Sequence, residues 1–184
     1  MSKIIAAINM TIDGFCDHDI MSPDEEIHQH YTDLLHEGAA ILYGRKTYQL
    51  MEFWRTILAQ PSEVQSMNDF ARAIDRIPKI VFSHTLQSVD WQSARLADLS
   101  LEETVLALKQ QPGKDIFVGS RSLVNALTNL KLIDEYQLCV HPVVASKGLL
   151  LLDQITDRTV FELLKTKTFT SGSIILYYKS VSSI

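Results

Sequence analysis

A chain of 184 residues is long enough for one substantial core and short for two, so a single domain over 1–184 is expected. With 46% hydrophobic and 21% charged residues, it has the balance of a globular protein rather than a disordered or fibrous one. Its 17 Lys and Arg against 22 Asp and Glu leave a formal net charge of -5, which argues against a broad nucleic-acid or acidic-membrane surface and makes any phosphate site a local one.

Lys3 to Asn9 is a continuous apolar run of strand length, the pattern of a strand covered on both faces. Met10 to Pro23, opening with Thr11-Ile12-Asp13-Gly14-Phe15, reads as a loop of functional length. Ser22 can cap a helix entered through Pro23, with Asp24, Glu25 and Glu26 in its first turn. Ile27, Tyr31, Leu34 and Leu35 then repeat on one face, and Gly38 supplies the stop. His28 and His30 point to nearly opposite sides of that helix, so they and His36 read as solvated or core-edge side chains and no metal site is expected.

Ala39–Tyr43 reads as a short buried strand that passes through Gly44 into a helix from about Arg45 to Trp54, burying Tyr48, Met51 and Phe53. Such a turn aims backbone N–H groups and the positive end of a helix dipole at one place, where an anion is favoured. Arg45 adds a planar, permanently charged fork suited to phosphate oxygens, and the Thr47 hydroxyl can donate to the same group. The alternative is that Gly44 merely ends a strand and Arg45 is solvated. Trp54 or Phe53 could stack a flat ring, against ordinary core packing. Pro61 interrupts the pattern, and Ser62–Ile77 reads as a loop with a short helix containing Phe70, Ala73 and Ile74.

Lys79–Ser83 is an apolar strand ending in small hydroxyl residues, which suits a ligand edge, and Ser88–Leu96 contains a weaker strand around Trp91. Ser100 and Glu103 have capping-box spacing for a helix that continues to Gln111 and stops at Pro112-Gly113. Asp115–Val118 is a strand entering Gly119-Ser120-Arg121-Ser122, after which Leu123, Val124 and Leu127 share a helix face, a second strand–glycine–helix unit. Ile133–Val144 reads as a long strand in which Tyr136, Leu138 and Val140 alternate against Glu135, Gln137 and Cys139, with Pro142 requiring an edge position or a bulge. Val160–Phe169 and Ser173–Ser180 form a hairpin through Thr170-Ser171-Gly172. Alternating strands and helices followed by a hairpin imply an α/β layered structure with a mixed sheet.

Cys16 and Cys139 match neither a disulfide framework nor a zinc spacing, so reduced thiols and a cytoplasmic location are expected. The apolar run Ile4–Ile8 is too short for a signal-peptide core, and no run reaches membrane-spanning length. No Gly-x-Ser-x-Gly elbow marks a nucleophile.

In order and spacing, Thr11-Ile12-Asp13-Gly14-Phe15, Leu42-Tyr43-Gly44-Arg45-Lys46-Thr47-Tyr48, Val81-Phe82-Ser83, Phe117-Val118-Gly119-Ser120, Leu132-Ile133-Asp134-Glu135-Tyr136 and His141-Pro142-Val143-Val144 form a series. This series resembles the dihydrofolate reductase-like family, in the branch similar to the reductase domain of bacterial riboflavin biosynthesis proteins. The resemblance spans nearly the whole chain. It implies a three-layer fold with a mixed, mostly parallel sheet of about eight strands, a C-terminal antiparallel hairpin, and NADPH bound across the carboxyl ends of the strands. On that resemblance Gly44, Arg45, Lys46 and Thr47 sit near the adenosine 2′-phosphate with Ser83 at the same end. Gly119, Ser120, Arg121 and Ser122 face the pyrophosphate, and Asn9, Thr11 and Asp13 lie near the nicotinamide and the substrate. Asp13 is then the candidate catalytic residue, orienting substrate or relaying a proton. Its other reading is an Asp-Gly turn residue that supports the loop by local hydrogen bonds. Trp54 is the candidate substrate-stacking side chain.

The implied activity is NADPH-dependent hydride transfer to a small heterocycle, pterin- or pyrimidine-like, or to a carbonyl compound. The alternative is a nucleotide- or metabolite-binding protein that keeps the fold without turnover. A homodimer through Ile133–Val144 and a continuation at Leu149–Leu152 is also implied. Gly119-Ser120 stands where the family usually has two adjacent glycines, and Ser120 adds a Cβ there, which favours the alternative. Ala145-Ser146-Lys147-Gly148 replaces a more glycine-rich stretch. Ile27 or His28 falls where folate reductases carry the carboxylate that holds the pterin, so folate reduction is not expected.

Overall fold

The computed structural model describes residues 1–181. Its strands form one eight-stranded sheet in the order Ala94–Leu96, Lys79–Phe82, Gly38–Gly44, Asp115–Val118, Ile4–Thr11, Glu135–His141, Ile174–Val181, Val160–Thr168. The pairs Ile4–Thr11 with Glu135–His141, Gly38–Gly44 with Lys79–Phe82, and Lys79–Phe82 with Ala94–Leu96 are parallel, while Ile174–Val181 runs antiparallel to both Glu135–His141 and Val160–Thr168. In chain order the elements are β1 (Ile4–Thr11), α1 (Glu25–Glu37), β2 (Gly38–Gly44), α2 (Arg45–Met51), α3 (Phe53–Ala59), α4 (Gln65–Arg76) and β3 (Lys79–Phe82). There follow β4 (Ala94–Leu96), α5 (Leu101–Gln110), β5 (Asp115–Val118), α6 (Arg121–Asn129), β6 (Glu135–His141), β7 (Val160–Thr168) and β8 (Ile174–Val181). The mixed, mostly parallel sheet and its terminal hairpin are those expected from the sequence. The chain packs as two compact units, Met1–Ser2 with Pro23–Ile116, and Lys3–Ser22 with the residues from Phe117 onward. Among the described residues, no helix is long and apolar enough to cross a membrane.

In the first unit, α1 is capped by Asp24 rather than Ser22: the Asp24 carboxylate accepts the Ile27 N–H, at 2.9 Å. Gly38 ends α1 in an extended conformation and starts β2 directly. The helix expected over Arg45–Trp54 is two helices joined at Glu52. Tyr48 is buried as expected, whereas Phe53 is 52% exposed; Trp54 is the ring that packs inward, with its centroid 4.5 Å from that of Phe70. Helix α4 runs twelve residues, longer than the short helix expected, because Ser66, Asn68, Ala71, Ala73 and Ile74 give it a continuous buried face. Asn68 fastens its start by exchanging two 2.8 Å hydrogen bonds with the Ser62 backbone. Helix α5 carries the expected capping box, with Ser100 and Glu103 each bonded to the other's backbone, worth about 1 kcal/mol.

The weaker strand expected within Ser88–Leu96 is β4 (Ala94–Leu96), and Trp91 lies just before it. It is buried there because it covers Lys79, whose Nζ sits 4.0 Å from the ring centroid. Lys79 is only 1% exposed, and its ammonium is taken up by the Ile77 carbonyl at 3.0 Å and the Ser93 hydroxyl at 2.7 Å. Asp75 completes the cluster by accepting the Trp91 indole N–H at 2.7 Å. A buried charge so satisfied fixes the β3–β4 corner, since removing one partner would strand the others.

In the second unit, β1 and β6 pair in parallel from Ile5 opposite Glu135 to Thr11 opposite His141. Asp134 locks the start of the register by accepting the Ile4 N–H, at 2.8 Å. Strand β6 lies between β1 and β8 and ends at His141, so Pro142 follows the strand and needs neither an edge nor a bulge. The expected alternation is also corrected. Tyr136, Gln137, Cys139 and His141 are buried while Leu138 and Val140 are half-buried, so the face carrying Gln137, Cys139 and His141 is the more deeply covered one. Leu149–Leu152 is not a continuation of β6 but an irregular segment joined to Phe15 by one bridge at Leu150. The β7–β8 turn uses Gly172 at φ +86°, a backbone conformation suited to glycine.

Burial pushes the Lys79 pKa down to about 8 from 10.5, with Asp75 opposing the shift. Between those values the unfolded chain binds more protons than the folded one. The contribution of this group to stability is therefore least below about pH 8 and grows as pH rises toward 10.5. Melting curves of wild type and Lys79→Met, taken at about pH 8 and near pH 10.5, are expected to show the wild type gaining roughly 5 °C relative to the variant across that interval. A difference that does not change with pH would contradict the buried ammonium.

Candidate functional site

The first unit brings one group of the expected residues together. Buried β2 delivers the chain through Gly44, an extended residue, into α2, whose N-terminus no side chain caps. Gly44 is in register with Phe82 of parallel β3, so Arg45 and Ser83 come next in line at the carboxyl ends of neighbouring strands. Arg45 and Lys46 are exposed and Thr47 is half-exposed. Among the described residues neither cation has an ion-pair partner. The Ser83 hydroxyl accepts the N–H groups of Thr85 and Leu86, at 3.1 and 2.9 Å, which curls the chain back at the same end. Two cations, a backbone turn and hydroxyls so placed can hold a dianion.

Trp54 stands apart from that group in a cluster of rings. Besides Phe70, it meets His28 edge-on with centroids 5.7 Å apart and Phe53 at 5.5 Å. Burial against these rings holds the His28 imidazole below its ordinary pKa, so its neutral form is favoured.

In the second unit Thr11 and Asp13 form a clamp. The Thr11 hydroxyl donates to Asp13 at 2.7 Å, and the carboxylate also accepts the N–H groups of Ala145, at 3.0 Å, and Ser146, at 2.8 Å. These bonds, the Thr11 hydroxyl foremost, hold the Asp13 pKa down to about 2. At neutral pH Asp13 is therefore an ionised group that can attract and orient but has no proton to give. Asp17 repeats the device one turn later by accepting the Leu149 N–H at 2.7 Å. Gly148 makes this possible: its φ is +136°, and a Cβ there would lie 2.2 Å from the Asp17 carboxylate.

The segment after β6 is held from its other side by α6. Arg121, Asn125 and Asn129 recur every fourth residue along one helix face. Arg121 donates to the Leu150 carbonyl and pairs with Asp153. Asn125 donates to the Leu151 carbonyl at 2.7 Å and accepts the Gln154 N–H at 3.1 Å, and Asn129 accepts the Thr156 N–H at 3.0 Å. Sequence reasoning missed this ladder, although the four-residue spacing of amide side chains opposite Leu123 and Leu127 was its signal. Arg121 is thus turned toward Asp153, Ser122 is exposed, and Ser120 is buried at the start of α6. Gly119 is half-exposed just before it. Asn9, two residues before Thr11, places its Oδ1 2.9 Å from Nε2 of His141. Among the described residues, no group of three or more His, Cys, Asp or Glu side chains could hold a metal ion.

Because the Asp13 pKa is held at about 2, below the ordinary 3.8, the clamp is complete at neutral pH and is lost as pH falls through about 2. Hydrogen exchange at the Ala145 and Ser146 amides, corrected for intrinsic rates, is expected to stay slow until that window in wild type. Asp13→Asn should accelerate both amides several-fold already at neutral pH. Equal protection in the two proteins would contradict the clamp.

The fold has known counterparts. The family model described as the RibD C-terminal domain matches residues 2–175. The uncharacterized protein YyaP of Bacillus subtilis strain 168 is 34% identical over 184 residues, covering 96% of this chain and 94% of that protein. A protein of Shewanella sp. PV-4, provisionally named a riboflavin biosynthesis protein, has a similar structure, with a TM-score of 0.71 at 15% identity, covering 99% of this chain and 100% of the other. A pyrimidine reductase-like protein from Corynebacterium diphtheriae gives a TM-score of 0.67 at 14% identity, covering 99% and 93%. The diaminohydroxyphosphoribosylaminopyrimidine deaminase/5-amino-6-(5-phosphoribosylamino)uracil reductase of Thermotoga maritima gives 0.65 at 13% identity, covering 98% of this chain and 57% of that longer one. These structures share the fold, and with the family match over residues 2–175 the chain belongs to the RibD C-terminal domain family.

Proposed function

We propose that this protein is an NADPH-dependent reductase acting on a small heterocycle, pyrimidine-like before pterin-like, or on a carbonyl compound. The observation that carries the reading is the pair of exposed cations, Arg45 and Lys46, at the uncapped start of α2, with Ser83 next in line on the adjacent strand. A 2′-phosphate is the dianion that such a group suits, and it is what separates NADPH from NADH. Arg45, Lys46, Thr47 and Ser83 would hold that phosphate. Gly119, Ser120 and Ser122 would approach the pyrophosphate at the start of α6, and Asn9 and Thr11 would contact the nicotinamide end. When bound, NADPH supplies the hydride. Asp13, ionised and clamped, keeps the loop in place and sets the local charge; the proton that completes a reduction then comes from solvent or from the substrate itself. Trp54, half-exposed, would stack its ring against a flat substrate.

A second reading, binding without turnover, draws on the buried Ser120 and on Arg121 being engaged by Asp153 rather than turned outward. We also propose a homodimer in which Val144, Leu149, Leu150 and Leu152, all exposed on the irregular segment after β6, are covered by a second copy. A cytoplasmic location accords with two free thiols, Cys16 and Cys139.

NADPH consumption with candidate substrates, as opposed to binding alone, separates the two readings, and titration with NADPH and NADH, followed by nicotinamide fluorescence, tests the cofactor site itself. Micromolar NADPH binding that weakens roughly 10- to 100-fold in Arg45→Ala, with NADH binding weak and unaffected, is the expected result. Folded wild type that binds neither cofactor would overturn the reductase reading.

A further inference from the structure

We propose that Trp91 is a positioning residue for the Arg45, Lys46 and Thr47 side chains: from the corner before β4 it seats Tyr48 and Arg55, and through them it sets the direction in which α2 presents its cations. The proposal rests on the reductase reading for the identity of the anion those side chains meet, and on the protein alone for the positioning.

Helix α2 has little of its own to hold it. It is seven residues long, and among the described residues Tyr48 is its one buried side chain. No side chain of α3 is fully buried either, and its inward ring, Trp54, is turned to Phe70 of α4. A helix of about two turns is not stable by itself, so packing decides where it lies. Tyr48 follows Arg45 by three residues, and a helical side chain leans over the turn before its own Cα. What seats Tyr48 therefore also seats the turn bearing Arg45.

Trp91 is that seat. The two ring centroids are 6.3 Å apart, with the planes tilted by 49°, and both rings are buried. Trp91 is itself held from three elements. Its indole N–H donates to Asp75 of α4 at 2.7 Å, the Lys79 ammonium of β3 lies 4.0 Å from its ring centroid, and its carbonyl accepts the Ala94 N–H of β4 at 2.8 Å. The same corner reaches α3 as well. The Arg55 guanidinium is 5.8 Å from the Trp91 centroid, pairs with Asp90 at 2.8 Å and comes within 3.6 Å of the Glu52 carboxylate. Glu52 is the joint between α2 and α3, so these charges tie the far end of α2 to the residue beside Trp91. The ion pairs are exposed and add little each, which leaves the buried ring contact as the main hold. Strand β2 decides where α2 begins, and Trp91 decides which way it runs. A guanidinium fork and a hydroxyl meet one phosphate only when both are aimed at it, so that direction governs whether Arg45 and Thr47 converge.

Backbone amide resonances of Arg45, Lys46 and Thr47 in the full chain, with NADPH and NADH titrations alongside, test this. Trp91→Leu should shift those amides and weaken NADPH binding about tenfold, leaving the weak NADH binding unchanged. Trp91→Phe, which keeps a ring against Tyr48 and Lys79, should return NADPH affinity to within about threefold of wild type. Arg55→Gln, a change at the half-exposed side of the network that serves if the leucine variant fails to fold, should move the same amides and weaken NADPH binding about threefold. Amides of Arg45, Lys46 and Thr47 that stay in place in the folded variants, or NADPH and NADH affinities that fall in equal proportion, overturn the positioning role. Wild type that binds no NADPH while those amides move as expected would uphold the positioning and overturn the cofactor reading instead.

Discussion

The hydrogen bonds received by the Asp13 carboxylate are the constraint on which the second unit of the candidate site depends. Thr11, Ala145 and Ser146 all donate to it, tying the loop after β1 to the segment after β6. A carboxylate with this many donors is stable only as an anion, and its charge is what keeps two irregular stretches in one conformation. Asp17 with Gly148, and the Arg121–Asn125–Asn129 face of α6, then hold the same segment farther along. Loops that carry function need such fixing from more regular elements, since they bury little apolar surface of their own.

The two units solve different problems. The first leaves cations exposed on α2, at the end of a buried strand and beside the Ser83 turn. The second turns charged and amide side chains inward to hold backbone: Asp13, Asp17, Arg121, Asn125 and Asn129 bond to main-chain groups, with the Thr11 hydroxyl and Asp153 as further partners of Asp13 and Arg121. Charge offered outward suits anion recognition, and charge satisfied inward suits a rigid frame for a neutral, planar group.

The strand runs, the capping box at Ser100 and Glu103, the glycine at the hairpin turn and the two strand–glycine–helix units were legible because each is written locally, in periodicity or in a single backbone requirement. What was not legible depends on partners far away in sequence. Lys79 opens an apolar strand run with nothing nearby in sequence to take up its charge, yet Trp91 and Ser93 from the next corner allow it to be buried. The alternation in β6 sets Leu138 and Val140 apart from Gln137 and Cys139, yet it is the second face that is the more deeply buried, a choice made by what packs on the sheet and not by the strand's own sequence. The helix break at Glu52 has no glycine or proline to announce it. In the candidate site, Arg45, Thr47 and Ser83 could be grouped because each follows a strand in a recognisable series. Asn125 and Asn129 could not, since their roles are set by Leu151 and Thr156.

The most direct test of the account is a crystal structure of the protein grown with NADPH. The account requires the 2′-phosphate within hydrogen-bonding distance of the Arg45 guanidinium and the Thr47 hydroxyl, and the pyrophosphate against the backbone of Gly119–Ser122. A cofactor whose 2′-phosphate lies away from α2, or one absent from crystals grown with the cofactor in large excess, would contradict it.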